Sequence, residues 1–332
     1  MSSIWPLIKN LPIRTNFRFV RYAKALGVVS VLACIASLFL AIYPATPPCG
    51  GLNCGVDFRG GNLIELSTEP DPVDLAAIRE GLAGMGLGDV QVQNYSVPGS
   101  DPTGRFHAMV RFETPEGMEA QENLDRVQQE LRGALGEHVV FSRTEIVGAK
   151  VSGELLRNGV MALLVAIAMM MVYIWFRFEW QFGLGAMIGL LHDVVLTFGL
   201  FAVTNMEFTL TAVASILTII GYSINDTVVV YDRIRENLRK YKKMPLRELI
   251  DLSINETLSR TIMTGVTALF ALFVLALLGG GPLQPFAIAL IFGIMIGTYS
   301  SIYVCAPVLL LWGVKRGEET VDPVKMGAAS RP

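Results

Sequence analysis

The chain has 332 residues, of which 52% are hydrophobic and 17% charged, with mean hydropathy +0.49 and a formal net charge of −2. A soluble domain carries roughly 25% charged residues, so composition excludes an ordinary soluble protein and its long apolar runs point to an integral membrane protein. The net charge says nothing about nucleic acid, and no nucleic-acid partner is expected; the placement of the charges along the chain is the informative quantity.

Residues 1–24 carry Lys9, Arg14, Arg18, Arg21 and Lys24 and no acid. Residues 25–43 follow without a charge. The run is longer than a usual signal-peptide core and no A-x-A cleavage site follows it, so it reads as an uncleaved first transmembrane helix. Residues 44–157 are polar enough for a water-soluble domain. Gly61–Thr68, Val90–Val97, Phe106–Glu113 and Val139–Val147 read as strands, and Pro72–Gly86 and Glu116–Leu135 have helical apolar spacing. That order is β-α-β-β-α-β, the ferredoxin-like plan.

Five further apolar runs follow, over residues 160–176, 182–203, 208–230, 261–278 and 285–314. Each is long enough to span a hydrocarbon layer. The expected fold is therefore a polytopic α-helical membrane protein with six transmembrane helices and one ferredoxin-like α+β domain between helices 1 and 2. Basic residues set the orientation. Five lie in the N-tail, one is Arg177, eight lie between Asp232 and Arg260, and four lie in the tail 315–332. The short loops 204–207 and 279–284 have none. The positive-inside rule places both termini in the cytosol and the large domain outside. Within the cytosolic segment 232–260, Pro245–Leu258 puts Leu246, Leu249, Ile250, Ile254 and Leu258 on one face. It reads as an amphipathic helix lying on the membrane surface, or as an ordinary solvated connection.

Were the chain bacterial, outside would mean the oxidising periplasm, and Cys49 and Cys54 could then pair across the four residues between them. A metal site is the alternative, although two thiols without a nearby His make only half of one. Cys34 and Cys305 sit in apolar runs and read as small core or lipid-facing residues, and His107 and His138 read as isolated surface residues of the outer domain.

The residue most in need of explanation is Asp226. An acid inside a bilayer segment costs about 2.5–3.5 kcal/mol on insertion scales, which makes its default reading functional. Thr211, Ser215, Thr218, Tyr222 and Asn225/Asp226 recur at helical spacing, so they form a polar stripe expected to face partner helices or a wet cavity. Asp226 is either a proton- or ion-carrying carboxylate or a packing acid held by hydrogen bonds. His192 and Asp193 in helix 3 are either a proton relay or a polar pair that fixes packing; as neighbours they point about 100° apart on a helix. Arg260 opens helix 5 at the same membrane edge as Asp226 and could pair with it. Gly185/Gly189 and Gly293/Gly297 have G-x-x-x-G spacing, which lets helices approach closely. No nucleotide-binding loop, zinc motif or hydrolase elbow is present. No cofactor, metal or enzymatic activity is expected, and any work must draw on an ion gradient or a partner.

The run Gly221-Tyr222-Ser223-Ile224-Asn225-Asp226-Thr227-Val228-Val229-Val230, continued by Asp232-Arg233-Ile234-Arg235-Glu236-Asn237, resembles the fourth-helix signature of the SecF half of the SecD/SecF family of protein-export membrane proteins, in the RND superfamily. Gly55-Val56-Asp57-Phe58-Arg59-Gly60-Gly61 resembles that family's motif opening the periplasmic domain, and Leu191-His192-Asp193 and Ser259-Arg260-Thr261 also match. The resemblance implies a bacterial inner-membrane subunit that pairs with SecD and associates with SecYEG, with YajC and YidC as further partners. It implies that proton flow moves the outer domains, which hold an unfolded preprotein during late export. The proton-path carboxylate falls on Asp226 and its basic partner on Arg260, with Asn225 where SecD is expected to carry its acid. The competing readings are a non-transporting translocon scaffold and a small-molecule RND-type exporter.

Overall fold

A computed structural model describes residues 15–314 apart from 46–47, 89, 96–100, 102, 114–117 and 280–282. The first part of the basic N-tail, the C-tail and the Gly280–Pro282 turn lie outside the described residues. The elements are α1 (Phe19–Ile42), α2 (Val56–Arg59), β1 (Gly61–Ser67), α3 (Leu75–Ala83), β2 (Gln91–Asn94), β3 (His107–Phe112), α4 (Ala120–Leu135), β4 (Val140–Val147) and α5 (Ala149–Arg177). They continue as α6 (Trp180–Thr204), α7 (Leu210–Lys240), α8 (Leu246–Leu278), α9 (Leu283–Ser300), a π-turn at Ser301–Cys305 and α10 (Ala306–Trp312). Six helical stretches are long and apolar enough to cross a membrane, the last running from Leu283 to Trp312.

Between α1 and α5 the four strands form an antiparallel sheet in the order β2-β3-β1-β4. With α3 and α4 this is the predicted ferredoxin-like plan. Asp74 caps α3 by accepting from the amides of Ala76 and Ala77. Ile64, Leu66, Val110 and Phe112 meet Ile78, Leu82, Val127 and Leu131 in one core. Each such side chain contributes about 1.5–3 kcal/mol on burial, so this domain holds its own shape. Cys49 and Cys54 are bonded as a disulfide in the loop that leaves α1. His107 departs from the surface position expected of it: it is buried and bonded to Asp101 Oδ2 at 3.1 Å. Alternation in β3 puts His107 on the face opposite the core residues Ala108, Val110 and Phe112, where Tyr95 packs on its ring and Asp101 supplies the polar partner that burial demands.

In the membrane part, α6, α7 and α9 form the buried centre, and α1, α5 and α8 are largely exposed. The four G-x-x-x-G glycines lie where these central helices touch. A Cβ at Gly185 would collide with the Tyr231 hydroxyl, one at Gly189 with the Cys305 sulfur, and one at Gly293 with Ile219. A Cβ at Gly297 would lie 3.1 Å from that of Ser223. Tyr231 is fully buried and donates to the Cys305 carbonyl at 3.0 Å. The π-turn ends just before Pro307, which has no N–H to continue the ladder. Gly185→Ala is expected to dislodge Tyr231 from Cys305 and lower the unfolding free energy by about 1–3 kcal/mol, read as a lower melting temperature in detergent.

The segment 245–258 does not lie on the membrane surface as a separate amphipathic helix. It forms the first turns of α8, continuous with the fifth span. Its apolar face (Leu249, Ile250, Ile254) joins the main membrane core, and Ser253 bonds Asn237 of α7 at 2.9 Å. The reason lies in its polar residues. Asn255 pairs with both the amide and the carbonyl of Phe17, at 2.9 and 2.8 Å, and Asp251 accepts from the Val20 amide at 2.8 Å. Asp251 thereby caps α1, whose own N-cap residue, Arg18, makes no side-chain cap bond. With its start held this way, α1 begins at Phe19 and includes Arg21 and Lys24, six residues before the expected boundary.

Candidate functional site

Two acids sit inside the helical bundle, in contrasting settings. Asp193 of α6 is 1% exposed and has three side-chain partners. Its Oδ1 is 2.8 Å from His192 Nδ1, and its Oδ2 accepts from Ser223 of α7 at 2.5 Å and from Ser300 of α9 at 2.8 Å. It therefore ties three helices together. His192 shares Asp193 as a partner but turns its ring onto Tyr299, with centroids 6.1 Å apart. Its buried Nε2 has no hydrogen-bond partner among the described residues. Tyr299 in turn donates to the Leu26 carbonyl of α1 at 3.0 Å.

Asp226 of α7 is also buried, at 2% exposure, yet its one side-chain partner among the described residues is the Thr298 hydroxyl of α9, at 3.3 Å. Asp193 has three side-chain hydrogen-bond partners and Asp226 has one, a contrast of the kind that separates a structural polar group from one that exchanges a proton. The adjacent Thr227 is bonded to Ser301 at 2.9 Å. One polar run, from Thr298 at the end of α9 to Ser301 in the π-turn, thus meets both acids: Thr298 contacts Asp226 and Ser300 contacts Asp193.

The predicted polar stripe on α7 does not point inward as a unit. Ser215 and Asp226 are buried, whereas Thr218 and Asn225 are exposed. A step of about 100° per residue carries Asn225 away from its neighbour's partners, so it lies on an open side of the bundle. Arg260 is exposed on α8, close enough for its charge to act on Asp226 but without an ion pair to it among the described residues. Gly221 and Tyr222 are partly buried on α7. At the far end of α7, Asp232 is bonded to Arg177 of α5 at 2.7 and 2.8 Å, and Arg233 to Glu256 of α8 at 2.7 Å.

Several partners escaped the sequence reading. Ser300 and Thr298 lie within an apolar run, where isolated hydroxyls are common because they can bond their own helix backbone. Their clustering over four residues was the available signal. No cluster of His, Cys, Asp and Glu among the described residues could hold a metal ion.

Residues 127–315 match the family described as protein export membrane protein SecD/SecF, C-terminal. The protein translocase subunit SecF of Rhodobacter capsulatus is 44% identical over 323 residues, covering 95% of each chain. That of Cereibacter sphaeroides is 45% identical over 317 residues, again covering 95% of each. The chain belongs to the SecF family of protein translocase subunits. Among solved structures, SecDF of Thermus thermophilus, described as a translocon-associated membrane protein, matches 91% of this chain with a TM-score of 0.77 and 32% identity. A SecDF structure in a super-membrane-facing form matches 90% with a TM-score of 0.63 and 34% identity. This chain spans 39% of the length of each SecDF chain. The SecF match covers both acids, the polar run of α9 and the outer domain.

Proposed function

We propose that this protein is the SecF half of a SecD–SecF pair. It sits in the bacterial inner membrane with both termini cytosolic and the sheet domain periplasmic. The pair uses the proton motive force to promote late steps of preprotein export through SecYEG. It is not an enzyme and hydrolyses no nucleotide; YajC and YidC are further candidate partners, and the outer domains act on unfolded preprotein.

The observation that carries this reading is the under-compensated Asp226, buried beside Thr298 and next to an open polar side that includes Asn225 and Arg260. A lipid-facing polar side is costly and calls for a polar partner surface. SecD would supply that surface and complete the proton path. Arg260 would engage Asp226 when the acid is charged and release it when it is neutral. Asp193, with its three partners, holds the helices in register, and His192 with its free Nε2 is the group through which protons would reach the interior from that side.

The test is late translocation into vesicles carrying the reconstituted complex, with an imposed proton gradient, a sodium gradient alone, or neither. Acceleration by the proton gradient and its loss on adding a protonophore are expected. Equal rates in all three arms would overturn the proposal, and acceleration by sodium alone would replace the proton with sodium.

A further inference from the structure

The motif Gly55–Gly61 opens the outer domain but lies far along the chain from the acid-bearing helix. In the fold the two are joined. The Phe208 amide donates to the Asn53 carbonyl at 2.7 Å, and the Gly55 amide donates to the Phe208 carbonyl at 3.0 Å, a short parallel bridge that ends one residue before α7's N-cap. Asp57 Oδ2 then accepts from the Leu210 amide at 2.8 Å. Leu210 is the first residue of α7, and that helix's own N-cap, Thr209, makes no side-chain cap bond. The cap therefore comes from the outer domain's motif. Its carboxylate also faces the positive end of a 31-residue helix.

The rest of the motif serves the same junction. A Cβ on Gly55 would stand 2.6 Å from Thr209 Cγ2 and 2.8 Å from Glu207 Oε1, so any larger residue would have to push both side chains aside. Phe58 packs on Phe208, with centroids 5.7 Å apart. Gly61, at φ +99°, begins β1, the strand at the sheet's centre. A second contact reaches the same loop from the sheet: Arg111 of β3 pairs with Glu207 at 2.7 Å, with side chains 10% and 15% exposed. Arg111 also donates to Asn53 Oδ1 at 3.2 Å. Burial pushes the Glu207 carboxyl up from its ordinary range, and Arg111 and Arg143 pull it back. A pair this dry is costly to break on one side only.

We infer that Asp57 and the Arg111–Glu207 pair are positioning residues that key the outer domain to α7, so that movement of α7 around Asp226 turns the whole sheet domain. Three residues of chain, Phe58 to Gly60, separate the cap of α7 from β1, a central strand, and the domain has its own core, so it moves as one body. The use made of this coupling in export rests on the function proposed above; the coupling itself does not.

The experiment is single-molecule energy transfer in the full chain within its reconstituted complex. Fluorophores are carried by unnatural amino acids at Gln129 on α4 and Val203 at the end of α6, both exposed. Asp57→Ala and Glu207→Gln are expected to raise the undocked fraction, the former roughly fivefold, as the loss of an N-cap would. Asp57→Asn, which can still accept the Leu210 amide, is expected to stay near the parent value. Amide exchange in β1 and β3 should remain protected throughout. An unchanged distribution in both variants overturns the inference, as does broadening accompanied by loss of that protection, which marks an unfolded domain. Because no gradient is applied, a broadened distribution stands even if translocation proves independent of protons.

Discussion

Asp226→Asn is expected to abolish the gradient-dependent part of late translocation while the complex still assembles. The substitution preserves size and can still accept the Thr298 hydroxyl, now 3.3 Å from Oδ2. It removes only the ability to gain and lose a proton. One charge moved across 100 mV carries about 2.3 kcal/mol, or roughly fiftyfold in an equilibrium at 1.36 kcal/mol per decade. Loss of one coupled site therefore has a large effect on transport and little on stability. The measurement pairs translocation rate under an imposed gradient with co-purification of the partner. Unchanged gradient dependence would remove Asp226 from the proton path. Loss of the partner would make it a packing acid, the scaffold role considered from sequence.

Asp193→Ala is expected to do the opposite, harming stability first. It deletes the acceptor shared by His192, Ser223 and Ser300. Two of those bonds cross between helices, and interhelical bonds in membranes contribute about 0.6 kcal/mol on average and up to about 1.7. Their loss, with donors left buried, points to about 1–3 kcal/mol. Asp193→Asn keeps an acceptor for one or both serines and should recover most of it. Thermal unfolding in detergent separates the two variants. Equal melting temperatures for the parent and Asp193→Ala would show that the cluster does not hold the bundle. If Asp193→Asn is as stable as the parent but loses gradient-driven transport, the cluster belongs to the proton path as well.

The legible part of this protein was the part written in periodicity and composition. Long uncharged runs revealed six spans, because a bilayer tolerates no other backbone there. Alternating and 3.6-residue patterns revealed the βαββαβ order, because the two helices and the edge strands β2 and β4 each turn one face to the core. Asp226 stood out because an acid in an apolar run is costly to place in a bilayer. The boundaries were less legible. α1, α7 and α8 all extend past their apolar runs, since polar turns remain helical when another element caps or packs them. Asp251 does this for α1, and Ser253 and Glu256 bond the end of α7.

The sequence by itself determined the family signature, the number of spans and the identity of the acid at the centre, since each depends on residue type and local spacing. The tertiary structure alone decided which partner each polar group has. It put Thr298 beside Asp226, gave Asp193 its two serines, turned Asn225 to the open side and left Arg260 unpaired with the acid. It also brought Asp57 to the start of α7, 153 residues away in the chain. Such contacts depend on how helices cross and which elements share an end of the bundle, and no local pattern of residues encodes that geometry.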